Sequence, residues 1–365
     1  MYVEPTAMAA IGNEALLAGT PTFIWTRTAG SGITRAPSPR VLGAIISANG
    51  SARIVPSPIV AEHVSGIRAL GREDGTWALV FAELVPPADP TSTPTDLASR
   101  LWFGIYDGTS WTRLEEIPRP AGTQLHPVLS STLAHHGGRF AWAMMNTTAN
   151  HHTDVIVFER VNGRWSHEVV TTQDAGYVDL TYSGAHGLLL ATTRADPSSP
   201  RDGRSLVIYA RKPQWQLTQT LLPRGPASIH WPRFIPGAGV SLRWWSEVQD
   251  STGMHHAARA LVGPGVQDVV TVDSSVAEGF THLNTQHGRH LWLTDHVSPG
   301  SQQRTLRFSI GTTRTATPVG QIPNPFTGNF DATMQGRSHI LVAGPLVDRA
   351  AGTVVTLLIR ARSNC

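Results

Sequence analysis

The chain has 365 residues, of which 41% are hydrophobic and 15% charged, a composition typical of a globular protein rather than a disordered one. Its formal net charge of +3 and the scatter of its basic residues argue against a nucleic-acid-binding protein. The single cysteine, Cys365, excludes an internal disulfide and a multi-cysteine metal site. No stretch is long and apolar enough for a membrane-spanning helix, so we expect no membrane partner.

One hairpin pattern recurs about every fifty residues along the chain. Its copies are LGAIISANGSARIVP (42–56), LWFGIYDGTSWTRLEEIP (101–118), VIVFERVNGRWSHEVVTT (155–172), LVIYARKPQWQLTQTLLP (206–223), AARALVGPGVQDVVTV (257–272) and TLRFSIGTTRTATPVGQIP (305–323). A second pair of strands is expected ahead of each hairpin, as a short run, a glycine-containing turn and then an apolar run. Four short strands per repeat predict the blades of an all-β propeller, whereas the alternative is a long β-sandwich array or a solenoid.

The repeats divide the chain into seven predicted blades within a single domain, residues 1–365. Their approximate bounds are 1–57, 58–119, 120–173, 174–224, 225–274, 275–324 and 325–362. The last blade has only three strands before the chain stops, and MYVEP resembles the endings of the other outer strands. We therefore expect residues Met1–Pro5 to supply the missing strand and close the ring, which removes an exposed sheet edge.

Two hairpin turns carry a motif-like signature. Asp107-Gly108 is followed by Trp111, and Asn162-Gly163 is followed by Trp165. These turns resemble degenerate Asp-box turns, and the chain is similar in architecture to the sialidase-like group of β-propellers. The resemblance implies the fold alone, because no blade has the full Ser-x-Asp-x-Gly-x-Thr-Trp box, no arginine triad is assigned, and sialidases have six blades. We expect the tryptophans to pack one sheet against the next.

A polar residue follows each outer strand by about eight positions, where the next blade begins at the mouth of the central channel. The seven residues are Asn13, His63, His126, Asp179, His230, His282 and Asp331. Four are histidines, and neutral imidazoles that converge from several blades suit a transition metal. The first hypothesis is therefore a metal-dependent oxidoreductase or lyase that holds Fe, Cu, Mn or Zn on His63, His126, His230 and His282. Asp179, Asp331 and Asn13 would then be supporting ligands.

Two other hypotheses remain open for the same face. One is a metal-free carbohydrate-active propeller, a polysaccharide lyase or a glycosidase, and the other is a glycan- or protein-binding scaffold whose polar ring is structural. The candidate catalytic residues are His126, His230, Asp179, Arg194 and Glu247. Tyr177, Trp231, Trp244 and Trp245 are candidate aromatic platforms. We expect a small-molecule or oligosaccharide ligand, a monomer, and a periplasmic or secreted location after removal of a leader peptide.

Overall fold

A computed structural model of the chain defines the architecture. The residues that it describes are 7–18, 24–27, 33–36, 41–60, 64–86, 97–150, 152–170, 172, 174–184, 187–195, 203–221, 228–235, 241–250, 253–261, 269–284, 290–297, 303–312, 315–326, 330–335, 339–348 and 353–362. The described chain is all β, apart from one turn of 3₁₀ helix at Pro127–Leu129. Within these residues no helix is long and apolar enough to cross a membrane.

The strands form a succession of small antiparallel sheets in chain order. The first sheet contains β1 (Ala7–Ile11), β2 (Glu14–Ala18), β5 (Val41–Ser47) and β6 (Ala52–Pro56), with a separate hairpin of β3 (Ile24–Arg27) and β4 (Ile33–Ala36) inserted after β2. The second contains β7 (Val64–Gly71), β8 (Trp77–Leu84), β9 (Ala98–Tyr106) and β10 (Trp111–Ile117). The third contains β11 (Gln124–His126), β12 (Ala134–His136), β13 (Arg139–Thr147), β14 (Thr153–Val161) and β15 (Arg164–Val170).

The remaining sheets follow the same pattern. The fourth contains β16 (Ala175–Ser183), β17 (Gly187–Ala195), β18 (Arg204–Arg211) and β19 (Trp215–Leu221). The fifth contains β20 (Ile229–Phe234), β21 (Leu242–Asp250), β22 (Gly253–Leu261), β23 (Val269–Asn284), β24 (His290–Val297), β25 (Arg304–Thr312) and β26 (Thr315–Pro323). The last contains β27 (Asp331–Gln335), β28 (His339–Asp348) and β29 (Thr353–Arg362).

These sheets have the arrangement of a β-propeller, which confirms the predicted fold class. All six predicted hairpins are present as strand pairs. Five of the described sheets have four or more strands, against seven predicted blades, because the seven-stranded sheet spans two predicted blades that share β23 and the last sheet has three described strands. The final sheet has three described strands, as expected, whereas Met1–Pro5 and the proposed ring closure lie outside the described residues.

The chain divides into two compact units whose limits fall at predicted blade boundaries. One unit comprises Met1–Arg119 with Pro325–Cys365, and the other comprises Pro120–Asn324. Within the first unit, the first and last sheets are in contact. The backbone N–H of Met8 donates a hydrogen bond to Asp331 Oδ2 at 3.3 Å. The side chain of Gln335 adds two bonds, in which Nε2 donates to the carbonyl oxygens of Asn13 and Ile46.

Alternating side chains from adjacent sheets form the hydrophobic cores. In the second unit, Met145, Val157 and Leu190 belong to a buried cluster between the third and fourth sheets. A separate cluster, which includes Ile208, Phe234 and Leu242, lies between the fourth and fifth. This alternation follows from the two-residue period of a strand, which turns every second side chain toward the neighbouring sheet.

The turn between β9 and β10 shows what the Asp-box-like signature does. Asp107 Oδ1 accepts hydrogen bonds from the backbone N–H groups of Thr109 and Ser110 and from the Thr109 hydroxyl. These bonds, that of the Ser110 N–H first, lower the pKa of Asp107 to about 2. Gly108 has φ +97°, a conformation that side chains disfavour. The turn thus places Trp111 at the start of β10, where its Nε1 donates to the Pro56 carbonyl oxygen.

Candidate functional site

The candidate site lies in the second unit, at the end of the third, fourth and fifth sheets where the first strand of each sheet begins. We call this end of the sheets the entry end. The opposite end, where a turn joins the first and second strands, is called the far end. Strands β11, β16 and β20 start at the entry end, and β13 and β17 finish there.

A β-bulge in β20 forms the centre of the entry end. The pairing of β20 with β21 shifts between His230 and Arg233, and Trp231 within this bulge has φ +51°. A bulky residue in this region is a genuine outlier, and such a conformation costs on the order of 1–3 kcal/mol. The following Pro232 restricts Trp231 further, since a residue before proline avoids the α region. Strain of this kind persists only where surrounding contacts enforce it.

The second sheet contains a matching bulge that identifies the residue expected at this position. The pairing of β7 with β8 shifts between Ser65 and Arg68, and Gly66 within that bulge has φ +62°. Ser65-Gly66-Ile67-Arg68 thus corresponds to His230-Trp231-Pro232-Arg233. Glycine adopts a positive φ readily, so a tryptophan at the equivalent position has to be explained by what its side chain does.

The Trp231 side chain packs against Tyr177 of β16, with the two rings tilted. The two ring centroids are 4.5 Å apart at an interplanar angle of 35°. The His230 ring approaches the same tyrosine edge-on, with centroids 5.8 Å apart. Tyr177, Trp231 and His230 are all partly exposed. Tyr177 and Trp231 line a shallow depression together with Leu129, Val178, Pro232 and Arg233. We call the Tyr177–Trp231 pair the aromatic platform.

Asp179 lies below the aromatic platform and is fully buried. Its Oδ1 accepts hydrogen bonds from Thr132 N at 2.8 Å and from Thr132 Oγ1 at 2.7 Å. Its Oδ2 accepts from the backbone N–H of Phe234 at 2.7 Å, and Arg233 Nη1 is 3.4 Å from Oδ1. The carboxylate therefore connects the third, fourth and fifth sheets. These bonds give Asp179 a structural role, and its predicted catalytic role stays a prediction.

Two further histidines lie at the entry end of the third sheet. His126 Nε2 is 2.8 Å from Thr147 Oγ1, across the pairing of β11 with β13. The exposed His152 places Nδ1 3.0 Å from Asp174 Oδ1. Asp174 has φ +65°, and the His152 bond is the main reason that its pKa is lowered. The backbone oxygen of Asp174 accepts a hydrogen bond from Arg204 Nη1, which fixes the loop.

The seven ring positions predicted from the sequence are not structurally equivalent. Asn13 is wrong as a channel-mouth residue, because it lies exposed in the far-end turn between β1 and β2. Asp179 and Asp331 do match, since each pairs with the fifth residue of the following strand, Ala191 and Ala343 respectively.

The histidines lie at other levels of their sheets. His126, His230 and His282 pair with the seventh, fourth and third residues of β13, β21 and β24. Counting from the preceding outer strand misplaces them because the linking segments and turns differ in length, and because bulges in β20 and β23 shift the register.

The predicted metal site cannot be assembled from the described side chains. His63 and the side chain of His282 lie outside the described residues. Among the residues that are described, no group of three or more histidine, cysteine or acidic side chains is placed to hold a metal ion. The four-histidine site and its transition metal therefore stay predictions.

The last two predicted catalytic residues have different surroundings. Arg194 is half-buried near the entry end of β17, opposite Ala175. Burial raises the pKa of Tyr209, and the positive charge of Arg194 opposes that rise in part. Glu247 is paired with His256 between β21 and β22, and its side chain lies outside the described residues. Of the candidate platforms, Trp244 is 3% exposed and belongs to the core, and the side chain of Trp245 is not described.

A second polar cluster lies at the far end, and the sequence interpretation missed it. The buried Glu159 of β14 accepts hydrogen bonds from Arg139, Arg211 and the hydroxyl of Tyr182, the last at 2.8 Å. Burial alone would raise the pKa of Glu159, but the bonds from Arg211 and Tyr182 outweigh it and the net shift is downward. Burial, followed by the bond to Glu159, raises the pKa of Tyr182. The cluster joins the third and fourth sheets.

Comparisons with known proteins support the fold. No protein-family model matches the sequence, and a search of curated proteins finds no match. Among solved structures, a puromycin-hydrolysing peptidase of Mycobacterium tuberculosis superposes with a TM-score of 0.57 at 14% identity, over 99% of this chain and 51% of that one. This chain thus spans about half the length of the peptidase.

Two other similar structures have names that refer to carbohydrates. A Hadza microbial sialidase gives a TM-score of 0.52 at 11% identity, over 90% of this chain and 75% of that one. An ulvan lyase from a new family of polysaccharide lyases gives 0.54 at 8% identity, over 97% and 91% of the two chains. At such low identity these likenesses show the β-propeller fold alone.

Proposed function

We propose that the protein is a carbohydrate-active β-propeller, a polysaccharide lyase or a glycosidase, that binds an oligosaccharide on the aromatic platform. The observation that carries the proposal is the 4.5 Å packing of Tyr177 on Trp231, in a bulge where the second sheet has glycine. Sugar rings have apolar C–H faces and polar edges, so a partly exposed aromatic pair beside polar groups matches their chemistry. The backbone strain is explained if it aims the indole at a ligand.

The histidines at the entry end supply the proposed acid–base chemistry. His230 adjoins Tyr177, and His152 is oriented by Asp174, an arrangement in which a carboxylate fixes one ring nitrogen and leaves the other toward solvent. His126 lies at the same end of the third sheet. We assign proton transfer to this histidine set. Neither the binding of the oligosaccharide on the platform nor the proton transfer by histidines requires a metal ion in this proposal.

The names of the structural neighbours support the substrate class without deciding it. A sialidase and an ulvan lyase share the fold, and both names refer to action on carbohydrates. The peptidase shares the fold as well, so the fold alone does not select a reaction. The proposal therefore rests on the platform first and on the neighbours second.

We also propose that the site belongs to a propeller of seven blades. The seven-stranded sheet supports this number if β20–β23 and β23–β26 are counted as two blades that share a strand. The remaining sheets then supply the other five, with β3 and β4 as an insertion in the first blade.

The test is binding and turnover on a panel of neutral and acidic polysaccharides. For a polysaccharide that wild type binds, Trp231→Leu and Tyr177→Leu should weaken binding about tenfold or more, because buried aromatic anchors dominate such interfaces. Trp215→Leu is the matched control, since Trp215 begins β19 at the far end of the fourth sheet. Equal losses in all three variants, or wild type that binds no member of the panel, would contradict the proposal.

Turnover separates catalysis from binding alone. His230→Ala and His152→Ala should lower kcat on the bound polysaccharide while both variants still bind it. A wild-type protein that binds a polysaccharide but never cleaves it would favour the glycan-binding scaffold. Elemental analysis of untagged protein tests the metal-dependent oxidoreductase or lyase that the histidine ring predicts, because that enzyme requires a bound transition metal.

A further inference from the structure

We propose that Asp179 is a positioning residue whose buried carboxylate sets the geometry of the aromatic platform. Its contacts reach both sides of the platform. On one side it belongs to β16, two residues after Tyr177, and on the other it binds the backbone of Phe234, three residues after Trp231. The expected change in polysaccharide affinity rests on the proposed function, whereas the expected change in the geometry of the two rings does not.

Arg233 completes the link between the two rings. Its Nη1 donates to the carbonyl oxygen of Val178 at 2.9 Å and lies 3.4 Å from Asp179 Oδ1. Val178 directly follows Tyr177, and Arg233 follows Trp231 after a single proline. The segment that carries Tyr177 and the segment that carries Trp231 are therefore held together by one arginine and one carboxylate, close to the residue whose backbone is strained.

The strain in Trp231 explains why this link is needed. A non-glycine residue with φ +51° relaxes to a commoner conformation unless neighbouring contacts oppose it. The Phe234 N–H bond at 2.7 Å and the Arg233 bonds fix the chain just beyond the bulge. Without them, the bulge can relax and the indole can leave Tyr177.

Asp179→Asn is the informative substitution because it keeps the shape of the side chain. An amide oxygen in the place of Oδ1 can still accept from Thr132 and lie beside the Arg233 guanidinium, but the amide nitrogen in the place of Oδ2 then presents N–H groups to the Phe234 N–H. Two donors that face each other cannot bond, so the bond to the Phe234 N–H is lost while the bonds that Thr132 makes to the other oxygen survive.

Asp331 provides a matched control in the first unit. Asp331 Oδ2 accepts from the backbone N–H of Met8, the equivalent contact from a first strand to that of the next sheet. Both aspartates pair with the fifth residue of the following strand. No bulge with a positive-φ aromatic residue is described in β1, so Asp331→Asn should disturb sheet packing and leave the platform unchanged.

The experiment measures the platform by near-ultraviolet circular dichroism. The difference between wild type and Trp231→Leu defines the signal of Trp231 packed against Tyr177. We expect Asp179→Asn to lose at least about half of this signal and to bind the polysaccharide identified above about tenfold more weakly. Asp331→Asn should retain both the signal and the affinity. Thr132→Val removes only the Oγ1 bond and should also retain the signal.

Each outcome bears on the proposal. A folded Asp179→Asn variant with the full Trp231 signal overturns it, and so does an equal loss of signal in Asp331→Asn, which would reveal a global effect. If Asp179→Asn does not fold, Arg233→Gln takes its place, because it removes the guanidinium bonds and keeps the carboxylate; a full Trp231 signal in that variant overturns the proposal. If wild type binds no polysaccharide, the proposed function fails while the spectroscopic result still decides the role of Asp179.

Discussion

The indole Nε1 of Trp111 lies 2.9 Å from the carbonyl oxygen of Pro56, and this bond connects the start of β10 to the end of β6. Trp111 also packs over Gly104 of β9, where a Cβ atom would come within 2.5 Å of the indole ring. The tryptophan of the Asp-box-like turn thus joins two sheets, as the sequence predicts.

Replacement of Gly104 should reveal how closely this tryptophan is packed. Gly104→Ala forces the indole or the strand to move, and we expect a loss of about 1–3 kcal/mol of unfolding free energy. Trp111→Phe should lose about 1 kcal/mol, because the bond to Pro56 disappears while most of the ring contact remains. Chemical denaturation measures both losses, and a Gly104→Ala protein as stable as wild type would contradict the packing.

The Asp107 turn should make stability sensitive to acid. Because the folded-state pKa is about 2 and the unfolded value is near 3.9, Asp107 stabilises the fold above the unfolded value and loses this contribution as pH falls toward 2. Asp107→Ala should therefore melt below wild type at neutral pH, and the difference in Tm should shrink in acid. Scanning calorimetry from pH 7 to about pH 3 provides the measurement. A gap that grows on acidification would have the wrong sign.

The Glu159 cluster should contribute more than the exposed ion pairs do. Glu159→Gln leaves Arg139 and Arg211 without their buried carboxylate, and we expect a loss of about 3 kcal/mol. Arg100→Gln, which breaks the exposed pair with Glu116, should cost far less, because solvent screens that pair. Urea unfolding of both variants compares them directly. Similar losses would mean that burial adds nothing to the Glu159 contacts.

The same cluster predicts a second acid transition. The folded-state pKa of Glu159 is lowered, so its contribution is complete above the unfolded value of about 4.3 and disappears as pH falls through the folded value. The difference in stability between wild type and Glu159→Gln should accordingly be constant near neutral pH and decline below about pH 4. Urea titrations at several pH values measure it, and a difference independent of pH down to about 3 would exclude the linkage.

The strained bulge makes an unusual prediction for substitutions at Trp231. Glycine suits φ +51° and alanine does not, so Trp231→Gly should be more stable than Trp231→Ala by about 1 kcal/mol. Elsewhere in a strand the order is reversed, because glycine gains more entropy on unfolding. Ala143 in the interior of β13 offers that comparison: Ala143→Gly should be less stable than wild type. Melting temperatures of the three variants test both orders.

The sequence predicted the strands and hairpins well and the site only in part. Hairpins such as that of β9 and β10 follow from local turn chemistry and two-residue periodicity, which a sequence displays directly. The level of His126 or His230 within its sheet depends on bulges and linker lengths, which no local pattern encodes. Asn13 was misplaced because β1 already begins at Ala7, so a count of eight from Pro5 runs past the strand into the turn.

Other features depend on contacts between distant parts of the chain. Glu159 binds Arg211, which lies 52 residues further along the chain. The two-residue period of the strand predicts which side of the sheet Glu159 occupies, but it does not predict this distant partner. Trp231 did carry a signal, since Ser65-Gly66-Ile67-Arg68 aligns with His230-Trp231-Pro232-Arg233. Recognising it requires knowledge that both segments form the same bulge, which the register of β7 and β20 supplies.

The continuous strand β23, from Val269 to Asn284, has a consequence for the engineering of this protein. At the other described transitions between sheets the chain leaves one sheet through a connecting segment, where added residues can bulge into solvent. Between the fifth and sixth repeats the same strand pairs with β22 at one end and with β24 at the other. An affinity tag or a guest domain inserted near residue 275 would split this strand, whereas the mostly exposed connection between β10 and β11, residues 118–123, offers a more permissive point of insertion.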